Sequence, residues 1–220
     1  MSLPVLYSFR RCPYAIRARM ALAVAEIAVE LREVVLRDKP AEMVAVSAKG
    51  TVPVLVLPDG TAIEESLDVM HWALAQHDPE GWLDCATDAG PLIAHCDTEF
   101  KHWLDRYKYA DRFPEQSQEF YRSQALLFFD ELEQTLATTP HLLGPRASIA
   151  DVGVFPFVRQ FAGVDPAWWT NAPYPATRRW LNTWLASALF DSVMRKYTAW
   201  APGAPGILFP GTRPVDQDSD

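Results

Sequence analysis

Phe9-Arg10-Arg11-Cys12-Pro13-Tyr14-Ala15 is the stretch on which the fold turns. A short apolar run, Leu3 to Tyr7, precedes it and reads as a strand. After it, Ile16, Met20, Ala23, Val24 and Ile27 recur at steps of three and four, which predicts a helix. Pro13 suits the first helical position, where a backbone N–H has no partner to lose. Cys12 then falls at the helix N-cap, beside the unpaired N–H groups of the first turn, where the helix dipole favours a thiolate. Arg10, Arg11, Arg17 and Arg19 add four positive charges within the first twenty residues, which contain no Asp or Glu. A free cysteine is most often a small buried apolar residue. Here the strand–turn–helix setting and the arginines favour a reactive thiol.

Outward from this stretch, Glu30 to Leu36 reads as a second strand. Strand, helix and strand make a βαβ unit with a parallel pair and a right-handed crossover. Asp38-Lys39-Pro40-Ala41-Glu42 opens a short helix, and Ala48 to Thr51 breaks it. Val54 to Leu57 and Ala62 to Glu64 are the arms of a hairpin about the turn Pro58-Asp59-Gly60-Thr61. Glu65-Ser66 precedes a helix whose Leu67, Met70, Leu74 and Ala75 share a face. Alternation stops near His77. A helix is expected from about Thr87 to Ala110, and others from Pro114 and Pro175, with a short one over Phe190 to Tyr197. Between them Ser148-Ile149-Ala150-Asp151 resembles a capping box and opens a run apolar nearly all round, predicting a buried central helix. Ala201 to Pro214 holds four prolines and three glycines, and acidic Asp216, Asp218 and Asp220 follow. This end is expected to be extended and dispensable, although Ile207-Leu208-Phe209 is an apolar trio able to dock.

The 220 residues carry a net charge of −8 without a long block of one sign, so nucleic acid is not an expected partner. Three cysteines, Cys12, Cys85 and Cys96, are too few and too scattered for a disulfide framework. Neither they nor the five histidines show metal-ligand spacing, so no metal is expected. No leader pattern and no apolar span of about eighteen residues is visible, and a reducing cytoplasm is the expected setting.

Five motifs together carry a family resemblance: Cys12-Pro13-Tyr14-Ala15, Lys39-Pro40-Ala41-Glu42, Gly50-Thr51-Val52-Pro53, Glu65-Ser66 and Ser148-Ile149-Ala150-Asp151. The chain resembles the cytosolic glutathione S-transferases, and its cysteine resembles that of the omega-like and bacterial thioltransferase members. The resemblance implies an α/β plus all-α chain. A thioredoxin-like domain over 1–78 would hold a mixed four-stranded sheet. A linker at 79–86, a helical bundle domain over 87–200 and an extended tail over 201–220 would follow. It implies Cys12 as the catalytic residue. It implies a glutathione site of Tyr14, Lys39, Val52, Pro53, Glu65 and Ser66, with Lys49 an alternative near Lys39. It further implies a cis Val52–Pro53 bond, which leaves Val52's backbone free to pair with glutathione as an added strand. Ser66 and the helix N-terminus would hold the γ-glutamyl carboxylate, and Glu65 its ammonium. Trp103 and Tyr107 are the candidates for an apolar second-substrate surface.

The activity implied is glutathione-dependent thiol–disulfide exchange, of the thioltransferase or dehydroascorbate reductase kind. Glutathione would be cosubstrate, a disulfide or a small apolar electrophile the second substrate, and a homodimer the assembly. One alternative is conjugation of glutathione to electrophiles, or its removal from them. Another is a non-catalytic binding protein on the same fold. Tyr7 and Ser8 are set aside as thiolate-holding residues because they belong to the strand.

Overall fold

The computed structural model describes residues 2–211. The acidic residues Asp216, Asp218 and Asp220 lie outside them. Two compact units result, one holding everything up to Pro79 together with everything from Ala188, the other Glu80–Ser187.

In the first unit β1 (Val5–Ser8), α1 (Pro13–Val24) and β2 (Val29–Glu33) form the expected βαβ unit, with β1 and β2 parallel. α2 (Ala41–Val46) follows, with Pro40 at its N-cap. β3 (Val54–Val56) and β4 (Ala62–Ile63) make the hairpin, and β3 pairs antiparallel with β1. α3 (Ser66–Gln76) packs on α1. Helix α1 lacks a polar face because it is covered on nearly every side, and its residues from Ile16 to Leu22 are all buried. Two of those buried residues are arginines, Arg17 and Arg19.

The second unit is helical. α4 (Ala86–His95) passes through one wide turn, Cys96–Phe100, into α5 (Lys101–Lys108), so the expected single helix carries a π-type irregularity. α6 (Gln118–Leu136) starts later than Pro114, because the Ser117 hydroxyl accepts from Phe120 N at 3.1 Å and caps it there. α7 (Ile149–Ala162) is the buried central helix the sequence predicts. Its Asp151 carboxylate is fully buried and accepts from the backbone N–H groups of Ser148 and Leu142, the Ser148 hydroxyl and the Trp180 indole. Four donors compensate the buried charge, which makes Asp151 an organising residue of this unit. A short α8 (Pro166–Thr170), absent from the sequence reading, and α9 (Pro175–Leu185) complete it.

The chain then returns to the first unit. α10 (Ala188–Val193) packs on α1, and β5 (Ile207–Phe209) pairs antiparallel with β2. The sheet is therefore five-stranded and mixed, in the order β4-β3-β1-β2-β5, where four strands were expected. The correction has a local cause. Pro205 and Pro210 flank the trio without entering it, so its three residues are free to pair at the sheet edge. Gly206 permits the approach, since a Cβ there would lie 2.4 Å from Glu30 Cγ. Residues 188–200, expected in the helical domain, belong instead with the first unit, because α10 and Trp200 pack there.

Candidate functional site

Cys12 occupies the N-cap of α1, as its sequence setting predicts, with Pro13 at the first helical position and no side-chain capping bond. The turn is closed by Cys12 N to Phe9 O at 3.0 Å. The residue is half-buried against Tyr7, Ala15, Val34, Met43, Val52 and Val54. Its Sγ lies 3.7 Å from Val52 O, so the neutral thiol has a weak acceptor. That contact favours the thiol over the thiolate, opposing the helix terminus.

The loop from Ser47 to Pro53 gathers the other expected residues. The Val52–Pro53 bond is cis. The Lys39 ammonium lies over Gly50, 3.4 Å from where a Cβ would stand. Lys49 Nζ donates to Glu65 Oε1 at 2.6 Å, and Ser47 Oγ donates to Glu64 Oε1 at 2.6 Å. Glu65 is the N-cap of α3 and Ser66, buried, its first residue, so the helix amides open beside this loop. Lys49 and Glu65 are both exposed, so their pairing contributes little to stability. It does raise the Lys49 pKa, chiefly through the hydrogen bond. The loop is thus the common neighbour of the expected residues: Cys12 meets it at Val52, Lys39 at Gly50, and Glu65, next to Ser66, at Lys49. Tyr14 is half-buried on α1, its ring 5.5 Å from the Arg17 guanidinium carbon.

Tyr7 and Ser8 are otherwise engaged. The Tyr7 hydroxyl accepts from Arg32 Nη1 at 2.8 Å, and Ser8 Oγ accepts from Arg19 Nη1. In the helical unit Tyr107 is buried, its ring 5.0 Å from that of Phe161. Trp103 is half-buried and stacks on Tyr121 at 6.4 Å.

Two residues behind the cysteine escape a local reading. Arg19 is buried, and burial pushes its pKa down to about 10, against the pull of negative charge at Glu33 and Cys12. Burial likewise raises the Glu33 pKa, offset by the Arg10 N–H and by Arg19. The available signal was an arginine at a position of α1 with apolar neighbours on both sides, Ala18 and Met20. Cys85 also stands at a helix N-cap, that of α4, but with Asp84 and Asp88 beside it in place of arginines.

Known proteins bear directly on this arrangement. Residues 6–81 match the glutathione S-transferase N-terminal domain, and residues 101–183 match the glutathione S-transferase C-terminal domain. Glutaredoxin 2 of Escherichia coli (strain K12) is 34% identical over 67 residues, 30% of this chain and 31% of that protein. The chain therefore matches about a third of the length of the curated relatives it resembles. The glutathione transferase URE2P6 of Phanerochaete chrysosporium, solved in complex with oxidized glutathione, superposes with a TM-score of 0.75. It shares 15% identity over 87% of this chain and 94% of that one. A glutathione transferase family member of Pseudomonas fluorescens Pf-5, with two glutathione bound, superposes with a TM-score of 0.74. It shares 17% identity over 88% of this chain and 92% of that one. With both domains of one family matched in order along the chain, on the fold those domains adopt, this protein belongs to the glutathione S-transferase superfamily.

Proposed function

We propose that this protein is a glutathione-dependent thiol–disulfide oxidoreductase of the thioltransferase type, with Cys12 as its nucleophile. The observation that carries the reading is the place of the sulfur. It stands at a helix N-terminus, half-exposed, 3.7 Å from the carbonyl of Val52 in the loop that also approaches Lys39 and Glu65. Glutathione in the structures of two neighbours and partial likeness to a glutaredoxin support the same class.

The chemistry balances without another redox partner. The Cys12 thiolate attacks the glutathione sulfur of a mixed disulfide. The Cys12–glutathione S–S bond forms, the substrate S–S bond breaks, and the substrate leaves as a thiolate that takes a proton. A second glutathione thiolate then attacks the glutathione sulfur on Cys12, giving glutathione disulfide and regenerating Cys12. Ala15 stands where a dithiol enzyme would carry a resolving cysteine, so the second thiol comes from solution. Glutathione in this reading pairs its backbone with Val52 beside Pro53. Its γ-glutamyl end meets Ser66, the α3 amides and Glu65, its glycine carboxylate meets Lys39, and Tyr14 flanks it. Pairing at Val52 O withdraws the acceptor that favours the neutral thiol, so bound substrate itself promotes the thiolate.

Three outcomes test the reading. Iodoacetamide should alkylate Cys12 faster than Cys85 or Cys96, with a midpoint below about 7.5. Cys85 is the sharp control, because it shares the helix N-cap position but has Asp84 and Asp88 as its charged neighbours in sequence, Asp84 being paired with Arg146. A Cys12 midpoint at the free value of about 8.5 would remove the activated nucleophile. Separately, Glu65→Ala and Ser66→Ala should each weaken glutathione binding by about 1.5–3 kcal/mol, the loss of one charge-assisted contact. Calorimetry is the measurement, and unchanged affinity in both variants would take them out of the site. A glutathione adduct on Cys12 after treatment with glutathione disulfide, located by peptide mass spectrometry, is the direct check.

A further inference from the structure

We propose that Arg19 is the positioning residue of the Cys12 turn: its buried guanidinium fixes the turn from behind and, with Glu33, sets the charge that the sulfur meets. This rests on the reading of Cys12 as the nucleophile. The geometry is a clamp on one residue. Arg19 Nη2 donates to Arg10 O at 2.6 Å, while Arg10 N donates to Glu33 Oε1 at 2.7 Å. Both backbone polar groups of Arg10, two residues before Cys12, are thereby held by opposite charges. Arg19 Nη1 donates to Ser8 Oγ, which fixes the end of β1 from which the turn departs. On its other side the guanidinium holds the return segment, Nε to Val193 O at 3.0 Å and Nη2 to Met194 Sδ at 3.9 Å. One planar fork thus ties the end of β1, the turn and the end of α10 into a single rigid support, a task suited to arginine rather than lysine.

The electrostatics have a definite sign. Charged and titratable groups stand on each element of this region, and Arg19 among them is electrostatically coupled to the Cys12 sulfur. The turn and α1 supply Arg10, Arg11, Arg17 and Arg19, and Tyr14 beside Arg17. β1 supplies Tyr7, whose hydroxyl is bonded to Arg32, and β2 supplies Glu33. The stretch before α2 supplies Lys39 over Gly50, the loop supplies Lys49 paired with Glu65, and the return segment supplies the Tyr197 phenol. Within this set Arg19 and Glu33 are the buried or half-buried pair that bracket the backbone of the turn. The cation favours the thiolate and the anion opposes it, so removing each should move Cys12 in opposite directions. A merely structural role predicts no such opposition.

The experiment follows the pH dependence of Cys12 alkylation in the full chain, with the site of labelling confirmed by peptide mass spectrometry. Arg19→Met should raise the midpoint by about one unit, and Glu33→Gln, which keeps shape and acceptor, should lower it by about half a unit. Arg19→Lys keeps the charge and loses the fork: its midpoint should stay within about 0.3 unit of wild type, while thiol-transfer kcat falls about ten-fold. Should Arg19→Met fail to fold, Arg19→Lys and Glu33→Gln decide. Midpoints that stay put in Arg19→Met and Glu33→Gln, or move the same way in both, overturn the proposal while leaving Cys12 as nucleophile; where only Arg19→Lys and Glu33→Gln fold, an unmoved Glu33→Gln midpoint or a wild-type kcat in Arg19→Lys does so. A wild-type midpoint at the free-thiol value instead overturns the reading of Cys12, and this proposal with it.

Discussion

Replacing Cys12 with alanine is expected to lower glutathione-dependent disulfide reduction by more than about 1000-fold while leaving glutathione affinity within about two-fold of wild type. The loss is large because the sulfur is the covalent partner in both half-reactions and has no local substitute. Ala15 offers none, Cys96 is buried, and Cys85 belongs to the other compact unit. Affinity survives because the proposed contacts at Val52, Glu65, Ser66 and Lys39 do not involve the thiol. Turnover with a glutathione mixed disulfide and calorimetry with reduced glutathione measure the two quantities. Full disulfide reduction by Cys12→Ala would reject the mechanism. A wild type that binds glutathione, forms no adduct and turns over no disulfide would make the protein a binding platform. A variant that gains conjugating activity while losing disulfide reduction would show that the fold also supports the transferase alternative.

What could be read from the sequence was whatever is written locally. Cys12-Pro13 announces a helix start because capping is decided within a few residues. Ser148 to Asp151 likewise announces the start of α7, and Pro58 to Thr61 the hairpin turn. Periodicity located α3, α7 and α9, but not the wide turn at Cys96–Phe100, since one added residue per turn barely disturbs a pattern already blurred by aromatic and polar residues. The remainder depends on partners far along the chain. Arg19 meets Val193 across 174 positions, and the Gly206 amide meets Glu30 across 176. Near Arg19 only the apolar neighbours Ala18 and Met20 hint that its charge is buried, and nothing near Ile207 says that an open sheet edge awaits it. The site divides the same way. The cysteine and the Val52–Pro53 bond were recognisable from short motifs, whereas the Lys49–Glu65 pairing and the Glu33–Arg10–Arg19 clamp required the fold.

Ending the chain after Ala201 is expected to destabilise the first unit, against the sequence expectation that this end can be dispensed with. Three groups of interactions would go. The first is the pairing of β5 with β2, Val29 opposite Phe209, Glu30 opposite Leu208 and Leu31 opposite Ile207. The second is the bond from the Gly206 amide to Glu30 Oε1 at 3.1 Å, which steadies the carboxylate paired with Arg32. The third is the closure of the loop on Trp200, whose indole donates to Ala204 O at 2.7 Å. Trp200 also donates its backbone N–H to Glu33 O at 2.7 Å and faces the Arg32 guanidinium carbon at 4.4 Å. Loosening it therefore disturbs the strand that carries Glu33 toward the Cys12 turn. The largest single contribution is Phe209, which is 1% exposed, while its neighbour Leu208 is 52% exposed. Phe209→Ala should cost about 3–5 kcal/mol, the range for emptying a buried aromatic site. Leu208→Ala should stay within about 0.5 kcal/mol, as expected of an exposed position. Against a total of about 5–15 kcal/mol, the first change removes a large fraction of stability and the second almost none. Urea denaturation of wild type and the three variants measures this. The truncated chain should also be prone to associate, because β2 becomes an uncovered edge. Equal midpoints for wild type, Phe209→Ala and the truncated chain would mean that β5 contributes nothing to the sheet. A truncated chain that loses no more than Phe209→Ala loses would mean that the side chain, and not the strand pairing, holds this end in place.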